Sequence, residues 1–353
     1  MRDAATSAVG AVDAVDAVDL SAAGDPGSAF AAAHRRGLLL VLRTSGTTDR
    51  PRQVVRTTAS WACSFVPYSR FAEIDGTARL WVPGPRSSTM NLFALVHAHA
   101  VGATVVASPD EATHACLTPT ALSRLVSAGT GRAGLEVVVA GDRLPPSLRE
   151  RASAAGLRVR HYYGASELSF VACGDGVESL RPFPGAEIEI RSGVIWVRSP
   201  YLAVGYDRGG GPLVIGPDGF ATVGDTGHLC DGVLVLTGRP DVVVTGGATV
   251  LLQDVEGVLQ DVATSPVAVV GVPHAYLGSV IACVVEDAND LPEVRRAAAG
   301  RLSAAQRPRI WCHLANLPLS AAGKLDRQEL HRLVDGARAG DGPARLLVPP
   351  ARG

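Results

Sequence analysis

Residues 38–48 read Leu-Leu-Leu-Val-Leu-Arg-Thr-Ser-Gly-Thr-Thr, a short apolar run followed by a turn rich in hydroxyl groups. A continuous apolar run of this length is typical of a strand that is buried on both faces. The turn consists of Thr44, Ser45, Gly46, Thr47 and Thr48. Its O–H and backbone N–H donors suit an anion such as phosphate, and an ordinary polar turn is the alternative. The usual P-loop is excluded, because no Gly-Lys-Ser/Thr sequence follows.

Downstream of this turn, strand-like apolar runs alternate with helical patterns, which predicts an α/β layer with a parallel or mixed sheet. The predicted strands are Leu80–Val82, Ala103–Ala107, Glu136–Ala140 and Leu157–Arg160, and the predicted helices are Met90–Ala100, Pro119–Val126 and Pro145–Ala155. Between about 185 and 237, short strands separated by Gly and Pro predict a β-rich subdomain. The segment after residue 241 has the length and pattern of a compact α+β domain.

The predicted fold class is therefore α/β, with a large N-terminal α/β domain that contains a β-rich subdomain, and a small mobile C-terminal α+β domain. An Ala-Val-Asp repeat near the N-terminus matches neither helix nor strand, which predicts a weakly ordered segment there. The predicted boundaries are a tail over 1–36, the large domain over 37–237, a hinge over 238–241, the small domain over 242–335 and a tail over 336–353.

The composition of the 353 residues narrows the class of protein. Hydrophobic residues make up 47% and charged residues 19%, which excludes wholesale disorder. A net charge of −1 lacks the basic footprint of a nucleic-acid binder, and no apolar run reaches the ~20 residues of a membrane span. The 6 cysteines form no Cys-x-x-Cys pair and no signal-peptide pattern begins the chain, so we expect a cytoplasmic globular protein.

Two polar clusters further along the chain suit a nucleotide. In Tyr163-Gly164-Ala165-Ser166-Glu167, a carboxylate beside a hydroxyl suits hydrated Mg²⁺ on nucleotide phosphates, and an aromatic ring beside glycine suits a purine face. The alternative is a turn followed by a helix start. In Gly224-Asp225-Thr226-Gly227, the carboxylate can accept two ribose hydroxyls, although the same sequence is also a common turn.

The distribution of basic residues singles out one position. Of the 33 Lys and Arg residues only Lys324 is a lysine, and it follows Gly323 directly before a predicted helix. An ammonium group is a compact, flexible point charge that a planar guanidinium does not replace. At the predicted joint between domains, Arg239 and Asp241 flank Pro240, where an arginine can both contact a nucleotide and govern closure.

Taken in order, these segments resemble the motifs of the adenylate-forming superfamily, which includes acyl-CoA and aryl-CoA ligases, peptide-synthetase adenylation domains and luciferases. The matching segments are the phosphate loop Thr44–Pro51, the motif Tyr163–Glu167, the pair Gly224-Asp225, the hinge Gly238–Asp241 and the lysine motif Gly323-Lys324. The shape is most similar to short actinobacterial o-succinylbenzoate–CoA ligases. Typical members carry a large extra subdomain before the phosphate loop, whereas 43 residues precede Thr44 here.

The resemblance implies an enzyme, an AMP-forming acid–thiol ligase. It would use ATP and Mg²⁺ to convert a small carboxylic acid to an acyl-adenylate, and then transfer the acyl group to the thiol of coenzyme A. Transfer to the pantetheine of a carrier protein or to a nitrogen nucleophile is the alternative within the family. An inactive nucleotide-binding accessory protein is the alternative from another class, and a homodimer is the expected assembly.

The resemblance also implies roles for single residues. By this resemblance, residues 44–48 and Arg52 would bind the phosphates, Ser166 would contact the α-phosphate, and Glu167 would bind Mg²⁺. The remaining implied roles are an adenine wall of Gly141, Asp142, Tyr163 and Gly164, ribose binding by Asp225 and Arg239, hinge rotation at Asp241, and a thiol tunnel at Gly246 and Gly247. Lys324 would bridge the substrate carboxylate and the α-phosphate, where negative charge concentrates.

Two departures from the family pattern affect the site. Asp49 and Arg50 stand in the phosphate loop where relatives have Gly-x, which adds an acid beside the polyphosphate position. Ser88 falls where relatives carry a pocket histidine, so an acid pocket formed by Arg86, Ser87 and Ser88 would be more polar. We therefore expect a polar or aromatic acid of specialised metabolism as the substrate. A surface role for Arg86 is the alternative.

Overall fold

The computed structural model describes residues 7–8, 11–12, 17–44, 52–207, 211–238, 242–245, 248–274, 276–320 and 325–348. The predicted phosphate-loop residues Ser45, Gly46, Thr47 and Thr48, the hinge residues Arg239 and Asp241, the tunnel residues Gly246 and Gly247, and Lys324 lie outside these ranges. For Thr44 and Arg52 only the backbone is described. Their proposed roles therefore stay predictions from the sequence.

Helices occur throughout the described ranges. They are α1 (Pro26–Arg35), α2 (Thr58–Ala62), α3 (Phe65–Ala72), α4 (Thr89–Val101), α5 (Pro119–Ser127), α6 (Pro146–Ala154), α7 (Leu252–Gln260), α8 (Leu291–Arg301) and α9 (Arg327–Ala339). Side-chain caps fix several of their starts. The Thr118 hydroxyl accepts a hydrogen bond from the Ala121 amide at the start of α5, and Pro119 fits the first helical position.

The strands form four sheets. In chain order they are β1 (Ser7–Ala8), β2 (Ala11–Val12), β3 (Leu39–Thr44), β4 (Arg52–Thr57), β5 (Arg79–Trp81), β6 (Thr104–Val106), β7 (His114–Leu117), β8 (Glu136–Val139), β9 (Arg158–Ala165), β10 (Ser169–Gly174), β11 (Arg181–Pro182), β12 (Glu187–Arg191), β13 (Val194–Arg198), β14 (Gly205–Asp207), β15 (Val214–Ile215), β16 (Ala221–Thr222), β17 (Thr226–Cys230), β18 (Val233–Gly238), β19 (Val242–Thr245), β20 (Ala248–Leu251), β21 (Val267–His274), β22 (Gly278–Val285), β23 (Ile310–His313) and β24 (Arg345–Val348).

A seven-stranded sheet with the order β11-β10-β9-β8-β7-β5-β6 is the centre of the N-terminal part. Strands β6, β5, β7, β8 and β9 run parallel to one another. Strand β10 is antiparallel to both of its neighbours, β9 and β11. Val137, Val138 and Val139 of β8 are buried on both faces, as a central parallel strand requires. The predicted α/β fold with a mixed sheet is confirmed.

Two further sheets complete the N-terminal part. One contains β12, β13 and β15–β18 together with β1, which gives the predicted β-rich subdomain an antiparallel sheet. The other has the order β2-β14-β4-β3, with β3 and β4 antiparallel and Thr44 paired with Arg52. The predicted phosphate turn therefore follows a strand of this small mixed sheet and not a strand of the parallel sheet.

The C-terminal part is a six-stranded sheet of β19–β24 with helices α7, α8 and α9. One hydrophobic cluster, containing Val255 and Trp311, includes residues of α7 and α8, and a second, containing Leu330, includes residues of α9. Hydrogen bonds and an ion pair join this α+β unit to helices of the N-terminal part. Arg124 of α5 pairs with Glu286 at 2.7 Å, and Arg151 of α6 donates to the Ala263 carbonyl at 2.6 Å.

The expectation of weakly ordered tails is wrong for two segments. Residues 17–36 contain α1, which begins because the Asp25 carboxylate accepts hydrogen bonds from the Gly27 and Ser28 amides. Phe30 of this helix and Leu20 before it are buried in the main core. At the other end, α9 continues to Ala339 and β24 pairs with β23, because leucines of this strand pack against the small domain.

None of the helices in the described part of the chain has the length and apolar character needed to span a bilayer.

Two histidines are buried in the N-terminal part. His97 of α4 is 0% exposed, its Nε2 lies 2.8 Å from the Ser69 hydroxyl oxygen, and burial lowers its pKa to about 4. Burial likewise lowers the pKa of His161 to about 4. As pH falls from 6.5 towards about 4, both imidazoles therefore stay neutral in the folded protein, whereas the same side chains bind protons in the unfolded chain.

We expect His97→Leu to flatten the dependence of stability on pH. As pH falls through 6.5 towards about 4, the unfolded state binds a proton at this position and the folded state does not, so stability is lost. At pH 5 this loss is about 2 kcal/mol for one imidazole. Urea unfolding at pH 8 and pH 5 measures it. The exposed His228→Leu is the matched control, and an unchanged pH difference in His97→Leu would contradict the prediction.

Candidate active site

The predicted nucleotide segments meet at the carboxyl edge of the parallel sheet. Strand β8 ends at Val139, just before Gly141 and Asp142, and the neighbouring β9 ends just before Ser166. Gly141 has φ 92°, a backbone conformation that glycine adopts without strain, and the exposed Asp142 follows it. Ligands of open α/β sheets bind at this edge.

The connection between β9 and β10 is a tight turn that sets the direction of two polar side chains. Gly164 faces the Ser169 carbonyl oxygen so closely that a Cβ atom would lie 2.0 Å from it, so only glycine fits. Ser169 itself has φ 60°, and Ala165 pairs with it across the turn. As a result Ser166 is half-buried, while Glu167 is only 6% exposed.

The Glu167 carboxylate is held by a neighbouring sheet. The hydroxyl of Tyr206 on β14 donates to its Oε1 at 2.9 Å, and the Leu213 amide donates in turn to the Tyr206 oxygen at 3.1 Å. The main chain is also fixed, since the Ala203 amide donates to the Glu167 carbonyl at 2.7 Å. The carboxylate is therefore oriented before any ligand binds.

A buried cation, Arg56 of β4, accompanies this carboxylate. Arg56 is 0% exposed, and its Nη2 donates to the Tyr201 carbonyl at 2.6 Å. Burial lowers the pKa of Arg56 to about 10, and the attraction of Glu167 opposes that fall, so the guanidinium stays charged at neutral pH. Its Nε and Nη1 meet no acceptor among the residues that the structure describes.

Two predicted nucleotide residues from distant parts of the chain are joined by a hydrogen bond. The Tyr163 hydroxyl donates to Oδ2 of Asp225 at 2.7 Å. Gly224, with φ 82°, precedes this aspartate, and the Gly224 amide donates to the Thr222 hydroxyl at 3.0 Å. The aromatic side chain predicted for adenine and the carboxylate predicted for ribose thus lie side by side.

The start of helix α4 reaches the same edge. The Thr89 and Ser166 hydroxyl oxygens are 2.9 Å apart, so one donates to the other. Ser88 is the N-cap residue of α4 and is 3% exposed. The predicted acid-pocket residues diverge here: Ser87 is half-buried, whereas Arg86 is exposed and donates to the Ala23 and Gly24 carbonyls at 3.1 Å.

Sequence reasoning did not identify Arg56, Tyr206 or Thr89. The sequence did contain one signal for Arg56. It follows the predicted phosphate loop closely and is two positions after Val54, so the two side chains lie on the same face of a strand. Tyr206 and Thr89 gave no such signal, since their contacts join residues 39 and 77 positions apart.

Glu167 is an enclosed carboxylate at this edge of the sheet, and the described residues contain no cluster of three metal-ligating side chains. Mg²⁺ usually keeps several waters and takes one or two protein carboxylates plus substrate phosphates. Glu167, with its Oε1 already oriented by Tyr206, fits a cation of this kind.

Comparison with known proteins gives relatives over most of the chain. An uncharacterized acyl–CoA ligase of Bacillus subtilis, YhfT, is 27% identical over 83% of this chain and 68% of its own length. The 2-succinylbenzoate–CoA ligase of Salmonella typhimurium is 28% identical over 87% of this chain and 71% of its own length.

Solved structures share the fold. A point variant of Escherichia coli MenE with bound OSB-AMS superposes with a TM-score of 0.72 at 24% identity, over 84% of this chain and 68% of that chain. The amide bond synthetase McbA of Marinactinospora thermotolerans superposes with a TM-score of 0.65 at 26% identity, over 83% and 68%. The family model described as "AMP-binding enzyme" matches residues 4–207, more than half of the sequence, and the chain therefore belongs to the family of AMP-binding enzymes.

Proposed function

We propose that this chain is an AMP-forming acid–thiol ligase, which activates a carboxylic acid with ATP and transfers the acyl group to coenzyme A. One observation carries the proposal: at the carboxyl edge of the parallel sheet, Tyr163 lies on the strand that leads into Ser166 and Glu167, and its hydroxyl is hydrogen-bonded to Asp225. The relatives named acyl–CoA and 2-succinylbenzoate–CoA ligases support the same reaction.

In the first half-reaction the acid's carboxylate oxygen attacks the α-phosphorus of ATP, and the bond to the leaving pyrophosphate breaks. The barrier is mostly electrostatic, so the protein must position the reactants and neutralise charge. Tyr163 stacks on adenine, and its hydroxyl holds Oδ2 of Asp225 so that the carboxylate faces the ribose hydroxyls. Gly141 and Asp142 form the other side of the adenine site, and Ser166 contacts the α-phosphate.

Magnesium enters this proposal as a companion of ATP. Glu167 holds it, and the bound cation supplies neutralisation of the phosphate charge. The buried Arg56 attracts Glu167 and adds a positive charge on the protein side of this site.

The remaining roles fall to residues outside the described ranges. Ser45–Thr48, with Thr44 and Arg52 at their flanks, hold the β- and γ-phosphates, Arg239 binds ribose, and Lys324 bridges the attacking carboxylate and the α-phosphate. The small domain then rotates about Asp241, which withdraws Lys324 from the site and brings Gly246 and Gly247 to it. The thiol enters beside these glycines. Glycine at that place lets a thin cofactor pass close to the backbone.

The acceptor has a second candidate. The structural likeness to an amide bond synthetase favours a nitrogen nucleophile as the alternative to the thiol of coenzyme A or of a carrier protein. Release of AMP with free coenzyme A, a carrier protein or an amine as the acceptor separates these candidates. We place the reaction in the cytoplasm and propose a homodimer, which sedimentation of the purified chain tests.

Lys324→Ala is expected to lower acid-dependent pyrophosphate exchange by at least about 10²-fold, because the developing charge at the α-phosphate loses its cation. ATP binding, measured by calorimetry, should change little. Lys324→Arg should also fail, since a planar guanidinium does not replace a mobile ammonium. The matched control is Arg338→Ala on the surface of α9. Full exchange activity in Lys324→Ala would refute the proposed chemistry.

Arg56→Met is expected to lower the free energy of unfolding by about 1–3 kcal/mol, because it removes the hydrogen bond to the Tyr201 carbonyl and the attraction for the buried Glu167. Pyrophosphate exchange should fall as well. Urea unfolding measures the change, and Arg332→Met, in an exposed ion pair with Glu329, is the control with a smaller loss.

The double variant Arg56→Met/Glu167→Gln should recover part of the stability that Arg56→Met loses, because the unpaired charge is removed with its partner. Strictly additive losses in the double variant would contradict the attraction between Arg56 and Glu167.

A further inference from the structure

The chain on the two sides of Lys324 is joined at its base. Leu319, before the lysine, and Leu325, after it, form an antiparallel bridge. Next to this bridge, the Asp326 amide donates to the Pro318 carbonyl at 2.8 Å. A contact that fixes one side of the base therefore also fixes the other.

The same base lies against the candidate active site. Leu319 and Leu325 both line a cavity of about 410 Å³, and Asp142 of the predicted adenine wall lines it too. Leu319 also lines a cavity of about 440 Å³ beside the carboxyl ends of β5 and β7, together with Trp81 and Leu117. Both flanks of the lysine motif are therefore docked at the carboxyl edge of the parallel sheet.

One carboxylate ties this base to the N-terminal part. Glu286 follows β22 directly, and its Oε1 accepts from Nη2 of Arg124 at 2.7 Å and from the Leu317 amide at 2.6 Å. Arg124 belongs to α5, whereas Leu317 lies two residues before Leu319. A single oxygen atom thus links a helix of the N-terminal part to the chain that leads into the lysine motif.

The surroundings of this carboxylate make the link to Arg124 specific to the docked arrangement. The Glu286 side chain is 9% exposed, and a carboxylate withdrawn from water is stabilised by a cation. Arg124 supplies that cation only while the two parts are docked. The hydrogen bonds from Ser127 and Arg151 to carbonyls of residues 263–264 also join the two parts, but at a turn distant in sequence from the lysine motif.

We propose that Glu286 is a positioning residue, which holds the flanks of the lysine motif in place during acid activation by binding Arg124 and the Leu317 amide together. The inference rests on the proposed acid-activating function and adds a residue to it. The pair with Arg124 breaks when the small domain rotates for acyl transfer. Loss of the pair therefore impairs the first half-reaction, which uses Lys324, and spares the second, from which this lysine is withdrawn.

Separate measurement of the two half-reactions in the full chain tests this role. Pyrophosphate exchange with benzoate, phenylpropanoate or hexanoate follows acid activation, and thioester formation from the prepared acyl-adenylate and coenzyme A follows acyl transfer. Arg124→Glu places two carboxylates opposite each other, so we expect exchange to fall about tenfold and thioester formation to change less than about twofold. General damage to the small domain would lower both.

Two further variants isolate the pair. Arg124→Lys keeps the cation and should retain most of the exchange activity. Glu286→Gln, added to Arg124→Glu, removes the repulsion and keeps an acceptor for the Leu317 amide, so exchange should recover by about threefold or more. Arg149→Glu is the matched control and should change neither half-reaction, because Arg149 of α6 pairs with Glu178 inside the N-terminal part.

Docking can also be measured without any acid, by energy transfer between two dyes. Azide-bearing residues in place of Ser153 on α6 and Arg301 on α8 carry the dyes and leave the 6 cysteines unmodified. Both positions are exposed and lie near the contact, since Arg151 of α6 donates to the Ala263 carbonyl and Arg301 lies 3.9 Å from Asp261. We expect a lower energy-transfer efficiency in Arg124→Glu than in the unaltered chain or in the control.

Three results would overturn the proposal: exchange that survives in Arg124→Glu, equal losses in the two half-reactions, or an unchanged energy-transfer efficiency. Absence of exchange in the unaltered chain with all three acids would instead refute the proposed function. The dye measurement then still decides whether Arg124 and Glu286 dock the two parts.

Discussion

Two opposite charges enclosed in the interior, Arg56 and Glu167, attract each other across the boundary between two sheets of the N-terminal part. Arg56 stands on β4 of the small mixed sheet, and Glu167 on the turn at the end of the parallel sheet. Tyr206, again from the small sheet, adds a hydrogen bond to Glu167. Displacement of either sheet would break this hydrogen bond, and a buried polar group left unpaired costs about 1–3 kcal/mol, so displacement is opposed. The candidate active site forms where this constraint holds the sheets together.

The polar groups of that site come from strand ends and one helix start, which rigid elements position more accurately than a long loop does. Tyr163 and Asp225 are joined directly, and Thr89 brings the first turn of α4 against Ser166.

Periodicity predicted the positions of four of the five parallel strands and of three helices beside them, as with Glu136–Val139 and Pro119–Ser127, but it missed β7. It failed for α1, because the preceding repeat and nearby glycines suggested disorder, while the cap at Asp25 and the burial of Phe30 decide the structure. The motif residues Ser166, Glu167 and Asp225 were identified by their neighbours in sequence. Their partners depend on tertiary contacts between distant segments, which no local pattern encodes.

The contacts between the C-terminal unit and helices α5 and α6 are of a kind that water replaces readily. Arg124 keeps 41% of its side chain exposed while it pairs with Glu286, whose side chain is 9% exposed, and Ser127 and Arg151 donate hydrogen bonds to the carbonyls of Ala263 and Thr264. Salt screens an ion pair to the extent that the pair is exposed, whereas a hydrogen bond between neutral groups responds little to ionic strength. Added salt would therefore weaken the link through Arg124 and leave the link through Ser127 largely unchanged.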